Sequence, residues 1–206
     1  MVTVFAELTC PFTHVGLRRL VTRRDEIASR ARFLVLAWPL EWVNGAPLDP
    51  EFAAMEIAAL RTEVAPDLFR GFDPKTFPRT TIPALAMASL AYTVALATGE
   101  SVSLALRDAV FEQGVDIGDP SVLSAIANAH GLDVRDADPD AVRAEYEEGQ
   151  RRGVVGSPYF IVEGVGYFCP SLDISHVGDE FSIRFDAPAF EDFTLRALGD
   201  VDGARP

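Results

Sequence analysis

Hydrophobic and polar positions along the 206-residue chain fall into two regimes, one of short apolar runs and one of helical periodicity. The opening segment, Val2 to Leu8, is β-branched and aromatic and reads as a strand. Thr9-Cys10-Pro11 then gives a turn, with proline at a first helical position where its missing N–H costs nothing. From there to about Ser29, Val15, Leu17, Leu20, Val21 and Ile27 recur at helical spacing with arginines between them. Arg32 to Trp38 is a nearly continuous apolar run closed by Pro39, as expected of a strand buried on both faces of a parallel sheet. Strand, helix and strand at this spacing make a βαβ unit.

Residues 39–50 read as a loop containing Asn44-Gly45, followed by a short helix from Glu51 to Glu63. Residues 65–79, with three prolines and Gly71, read as an irregular connection. Helical patterns then dominate: Thr81 to Ala97, Ser101 to Gln113, Pro120 to His130 and Pro139 to Arg151. Asp119-Pro120 looks like a cap followed by a first-turn proline, and Gly131 like a stop. Strand character returns at Tyr159 to Val162, and after Glu163-Gly164 the run Val165 to Cys169 reads as its hairpin partner. A polar segment with a short strand at Phe181 to Phe185 leads to a last helix, Ala187 to Leu198. The chain is therefore expected to be α/β, with one domain built from residues 1–40 and 153–200 and an all-helical insertion domain over residues 50–152.

Charge narrows the function. A net charge of −13 opposes the phosphate backbone, so nucleic-acid binding is not expected. No stretch approaches the roughly 20 consecutive apolar residues of a membrane span, and no charged leader with a cleavage site precedes the first strand. A cytoplasmic location is the expectation, and two cysteines in such a chain point to reactivity or plain burial rather than to a disulfide framework.

Cys10 stands between a buried strand and a helix, where several N–H groups converge and the helix dipole is positive. That field favours the thiolate, so a reactive sulfur near neutral pH is expected. Thr13 lies one turn along the same face, within reach of the sulfur, and His14 follows it as a further tuning group or a solvated residue. Downstream, Gly156-Ser157-Pro158 opens a strand that then reads as central, and a cis Ser157-Pro158 bond accommodates the proline there. With the hairpin turning at Glu163-Gly164, Val162 pairs with Val165, Phe160 with Tyr167, and Pro158 falls opposite Cys169. Cys169 is thereby brought near the site as a candidate resolving thiol.

Val4-Phe5 followed by Thr9-Cys10-Pro11-Phe12-Thr13-His14-Val15-Gly16 resembles the active-site strand and helix of DsbA-like proteins, including the FrnE-type branch. Gly153 to Val162 is similar to that family's cis-proline loop, and Phe111 to Pro120 to part of its helical insertion. The resemblance implies a thioredoxin fold, βαβ…ββα, interrupted by helices, with a nucleophilic Cys10 beside Pro158 and Thr13. It also implies a thiol or peptide bound along Pro11, Phe12, His14 and the Ser157 backbone. Where dithiol members carry a second cysteine, this chain has Thr13. The implied chemistry is monothiol, through a mixed disulfide with a small-molecule thiol or disulfide. More distantly, 2-hydroxychromene-2-carboxylate isomerases and kappa-class glutathione transferases are similar. They imply the alternative that glutathione or another low-molecular-weight thiol is the nucleophile, with no covalently bound cofactor, while a non-catalytic ligand-binding relative is the third option.

Trp38 and Trp42 either line a pocket or pack. Glu145, Glu147 and Glu148 read as a solvated helix face. His130 and His176 lack metal-ligand spacing with the cysteines, and no metal is expected. The inserted helices offer either a homodimer contact or a lid over the site.

Overall fold

The computed structural model describes residues 1–170, 172–177 and 180–199. In chain order its elements are β1 (Val2–Ala6), α1 (Pro11–Glu26), β2 (Phe33–Ala37), α2 (Leu40–Val43), α3 (Pro50–Glu63), α4 (Ile82–Val94), α5 (Leu96–Phe111), α6 (Pro120–Ala129), α7 (Pro139–Arg151), β3 (Tyr159–Val162), β4 (Val165–Phe168), β5 (Leu172–Val177), β6 (Glu180–Phe185) and α8 (Ala187–Leu198). Single 3-10 turns at Pro74–Thr76 and Val134–Asp136 join the helices of the insertion.

The main sheet has the order β2-β1-β3-β4. β1 runs parallel to β2, with Val4 beside Val35, and antiparallel to β3, with Val4 beside Phe160. Alternation along the strands divides their side chains between two layers. Val2, Val4, Ala6, Phe33, Val35, Phe160 and Val162 pack with Leu17 and Leu20 of α1 and Phe190 and Phe193 of α8. Phe5, Tyr159 and Ile161 face the other way, toward Trp38 and Tyr146 of α7. Gly149 lets α7 lie against this face, because a Cβ there would sit 2.7 Å from the Trp38 ring. Both tryptophans pack: Tyr146 lies 4.9 Å from Trp38 and 5.5 Å from Trp42, centroid to centroid. This is a thioredoxin fold whose helical insertion follows β2 and returns at β3.

An Asp-Pro pair starts α3, α6 and α7. Asp49, Asp119 and Asp138 each accept backbone N–H bonds from the first turn while the proline occupies a position that needs no donor. Such caps are worth about 1 kcal/mol each. The insertion core is continuous with the site: Ala53, Ile57 and Leu60 of α3 share one apolar cluster with Leu8, Cys10, Phe12 and Cys169.

Four sequence expectations are corrected. Residues 39–50 contain the short helix α2. The helices expected over 81–97 and 101–113 meet almost directly, since only Ala95, extended at φ −164°, separates α4 from α5. Gly99 permits that tight corner, where any Cβ would strike the Tyr92 ring. The polar segment after Cys169 contains β5, paired with β6 in a second, two-stranded sheet. Finally, Glu145 is not a solvated residue: it accepts the Ala37 N–H at 2.6 Å, capping the end of β2, and burial raises its pKa. Its neighbour Glu147 is exposed, as expected, and Glu148 pairs with Arg151 and Arg152.

Candidate active site around Cys10

β1 delivers the chain into the turn Glu7-Leu8-Thr9, and Cys10 caps α1 with extended backbone at φ −78°, ψ 113°. The turn is built on one carboxylate. Glu7 Oε1 accepts the N–H groups of Leu8 (2.6 Å) and Thr9 (3.2 Å), while Oε2 accepts that of Leu40 (2.9 Å), which ties the turn to the start of α2. Glu7 is 1 % exposed, and burial raises its pKa against the pull of these amides. Beneath it lies Arg107, which donates to Ser103 O and Oγ and to the Glu7 carbonyl at 3.3 Å. Burial lowers the Arg107 pKa to about 10, which leaves the guanidinium charged at neutral pH.

The second wall is the cis Ser157-Pro158 bond that opens β3. The Cys10 thiol donates to the Ser157 carbonyl at 3.2 Å. Ser157 Oγ accepts the Glu7 N–H at 2.9 Å and lies 2.9 Å from Thr13 Oγ1. Thr13 is fully buried and also hydrogen-bonds Cys10. Cys10, Thr13, Ser157 and Pro158 are thus brought together, with Glu7 and Arg107 behind them.

The expected thiolate is not what this geometry favours. Cys10 is 3 % exposed, and loss of solvent raises its pKa. Hydrogen bonds from Thr13 and Ser157 work in the opposite direction without overcoming burial, and the charge of Glu56 adds to the rise. In an isolated helix the N-terminal field would dominate; here desolvation wins because the sulfur is buried in the apolar core.

His14 is likewise not a solvated tuning group. It is 1 % exposed, enclosed by the rings of Phe69 (5.3 Å) and Phe111 (4.9 Å), with Nε2 2.7 Å from Glu112 Oε1. Its Nδ1 has no partner among the described residues, so a neutral ring donating from Nε2 fits the site, and burial lowers the histidine pKa accordingly. Glu112 stays charged: burial opposes this, but hydrogen bonds from His14 and the Phe69 and Arg70 amides hold its pKa at about 2. Pro11 and Phe12, also expected to touch substrate, are buried in the free protein.

The hairpin register is the expected one. Val162 pairs with Val165 and Phe160 with Tyr167, and the Cys169 N–H reaches the Pro158 carbonyl at 3.2 Å. Positive φ at both Glu163 (51°) and Gly164 (83°) suits the turn to the twist of the strands. Both cysteines are free and buried, and Cys169 lies within the electrostatic reach of Cys10. Cys169 is 7 % exposed, and its pKa is raised by burial first and then by the charges of Cys10 and Glu56.

A groove of about 770 Å³ lies along the second half of α1, lined by Arg18, Arg19, Arg23 and Arg70 with Phe185 and Phe190, and does not include Cys10. Among the described residues no group of three His, Cys, Asp or Glu side chains is placed to hold a metal ion, and no helix is long and apolar enough to cross a membrane. The side chain of His176 lies outside the described residues.

Sequence reasoning passed over Glu7, Glu56 and Arg107. Glu7 follows a strand without interruption and carried no signal. The other two were findable as charged residues at apolar positions of amphipathic helices, in AAMEIAAL and SLALRDAVF.

The sequence matches the DSBA-like thioredoxin domain family over residues 1–180. The chain belongs to this family. This chain is similar to a probable DsbA oxidoreductase from Streptomyces coelicolor (18 % identity, TM-score 0.65, covering 100 % of this chain and 91 % of that one). It is similar to a 2-hydroxychromene-2-carboxylate isomerase (14 %, 0.64, 81 % and 87 %) and to the cytosolic disulfide reductase DsbM from Pseudomonas aeruginosa (12 %, 0.53, 94 % and 95 %). At these identities the likeness is one of fold. No curated protein matches the sequence.

Proposed function

We propose that this DSBA-like protein is a cytoplasmic thiol enzyme that exchanges disulfides through Cys10 alone. The observation that carries the reading is the Cys10 sulfur held 3.2 Å from the Ser157 carbonyl, at the cis-proline, with buried Thr13 where a dithiol enzyme has its second cysteine. Cys10 attacks a small-molecule disulfide and forms a mixed disulfide, with Pro158 and the Ser157 backbone aligning the incoming sulfur. Release needs a thiol from elsewhere in space, either a low-molecular-weight thiol such as glutathione or Cys169. No covalently bound cofactor is required.

Intact mass after incubation with oxidised glutathione tests this. One glutathione adduct is expected on Cys169→Ser and none on Cys10→Ser, while the wild type carries the same adduct or, where Cys169 resolves it, an internal disulfide. Absence of any adduct on Cys169→Ser across pH 6–9 would refute the reading.

A second reading has one observation in its favour. A Cys10 that donates a hydrogen bond and has a raised pKa suits a protein in which a bound thiol cofactor is the nucleophile and Cys10 or Thr13 orients its sulfur, as in an isomerase or transferase. That reading expects glutathione to bind reversibly, with no adduct surviving gel filtration.

A further inference from the structure

The helix-borne hydroxyls of Thr62, Ser89, Thr93 and Ser124 donate back to a carbonyl of their own helix, the usual use of such a group. Ser101 of α5 does not: its Oγ lies 3.1 Å from Nε2 of His130, the residue that closes α6. The other ring nitrogen fixes what this contact is. His130 Nδ1 lies 2.9 Å from the Ile126 carbonyl, one of the last-turn carbonyls that a helix end leaves without an amide. A carbonyl only accepts, so Nδ1 carries the proton, the neutral ring presents a lone pair at Nε2, and the Ser101 hydroxyl donates to it. Ser101 is exposed and His130 half-buried, so the oxygen is open to solution while the ring is held. A serine hydroxyl donating to an imidazole whose far nitrogen is anchored by an acceptor is the arrangement that activates a serine nucleophile. The pair lies away from Cys10. Glu100, next to Ser101, accepts the Phe33 N–H at 3.1 Å at the start of β2, whereas Cys10 follows the end of β1, which runs parallel to β2.

We propose that Ser101 is an acyl acceptor, with His130 as its base, for small donors that carry a good leaving group, such as activated esters and thioesters. The Ser101 proton passes to His130 Nε2 as Oγ forms a bond to the acyl carbon. The bond from that carbon to the leaving oxygen or sulfur then breaks, its electron pair departs with the leaving group, and the leaving group takes the proton from Nε2. One ester or thioester is consumed, one serine ester is formed, and the ring returns to its starting tautomer. The backbone limits the chemistry to this. Ser101 lies inside α5, where its amide is spent on the helix ladder, so its own N–H does not stabilise the oxyanion formed on attack. Donors must therefore arrive already activated, and water attacks the acyl-serine slowly, which makes the outcome a single lasting acylation instead of turnover. Nothing in this step depends on the disulfide-exchange reading of Cys10.

The test is acetylation by p-nitrophenyl acetate at pH 8, with the modified positions located by peptide mass mapping in the wild type, Ser101→Ala and His130→Gln. One acetyl group should accumulate on Ser101 in the wild type, while the back-bonded hydroxyls of Thr62, Thr93 and Ser124 stay unmodified. His130→Gln should acetylate at Ser101 about ten-fold or more slowly, and Ser101→Ala should carry no acetyl group on that peptide. Carbethoxylation of His130 in the folded wild type by diethyl pyrocarbonate should slow the reaction to the same extent, and it gives the comparison if His130→Gln does not fold. Absence of acetyl on Ser101, or equal rates with and without an intact imidazole at position 130, would overturn the proposal and leave the pair as a tie between α5 and α6.

Discussion

Two buried carboxyl groups serve the neighbourhood of Cys10, and they differ in one respect. Glu7, on the sheet side, is saturated: three backbone amides point at its two oxygens, and its own backbone N–H and C=O bind Ser157 and Arg107. Glu56, on the insertion side, has no hydrogen bond or ion pair among the described residues, and burial alone sets its shift. Both lose solvent, and burial raises both pKa values. The first has been converted into scaffolding, because every proton it could take would break a bond to the turn. The second has no such bonds to lose on taking a proton. The insertion thus contributes a buried acid whose charge raises the pKa of both cysteines.

The contrast can be broken most severely at Glu7. Glu7→Ala should cost about 3–4 kcal/mol in urea unfolding, since it strands three buried amides that now bond to a carboxylate and leaves a cavity. A loss below about 1 kcal/mol would mean that the turn does not depend on it.

Next in size is the pH dependence set by Glu56. Its folded pKa lies above the unfolded value, at about 7 against 4.5, so the folded state binds the extra proton. The sign follows: this group's contribution is full below pH 4.5 and is lost as pH rises through 7, by about 3 kcal/mol in total. Comparing unfolding free energies at pH 5 and pH 8, the decline should be smaller in Glu56→Gln than in the wild type by an amount of this order. Equal declines in the two proteins would remove the distinction between the carboxyls.

Glu112 offers a third case, a half-buried carboxylate saturated by His14 and two amides. Glu112→Ala should cost about 2 kcal/mol, read again by urea unfolding, because it leaves the His14 Nε2–H buried without an acceptor. Smallest is Thr13→Val, which removes a hydroxyl that lowers the Cys10 pKa. Iodoacetamide alkylation of Cys10 at pH 8 should slow by about three- to ten-fold, the equivalent of one ordinary hydrogen bond.

These residues also mark how far the sequence could be read. The strand-turn-helix around Cys10, the cis bond before Pro158 and the pairing that sets Pro158 opposite Cys169 were legible, because alternation, proline and turn chemistry are local. The state of Cys10 was not. The helix-dipole argument is local and favours thiolate, whereas the desolvation that outweighs it comes from burial of Cys10 in an apolar cluster gathered from distant parts of the chain, Ala53, Leu85 and Leu106 among them. His14 misled for the same reason, since Phe69, Phe111 and Glu112 reach it only in the folded chain. Glu145 reads as one of three solvated acids because nothing in the helix sequence indicates that the end of β2 needs an acceptor. β5 is hard to read from sequence because its alternation is short, with Leu172 and Ile174 set against Asp173 and Ser175 before His176 breaks it.

The Glu163-Gly164 turn acts as a ruler for the two sulfurs. Because β3 and β4 are locked in step from Val162 and Val165 onward, the number of residues in that turn decides which residue of the returning strand stands across from Pro158. Adding one residue there would exchange the faces of the whole strand and carry the second sulfur away from the first. Thus the spacing of the two thiols is gauged at the opposite end of the hairpin, at a position open to insertion and deletion, without altering any residue that touches Cys10.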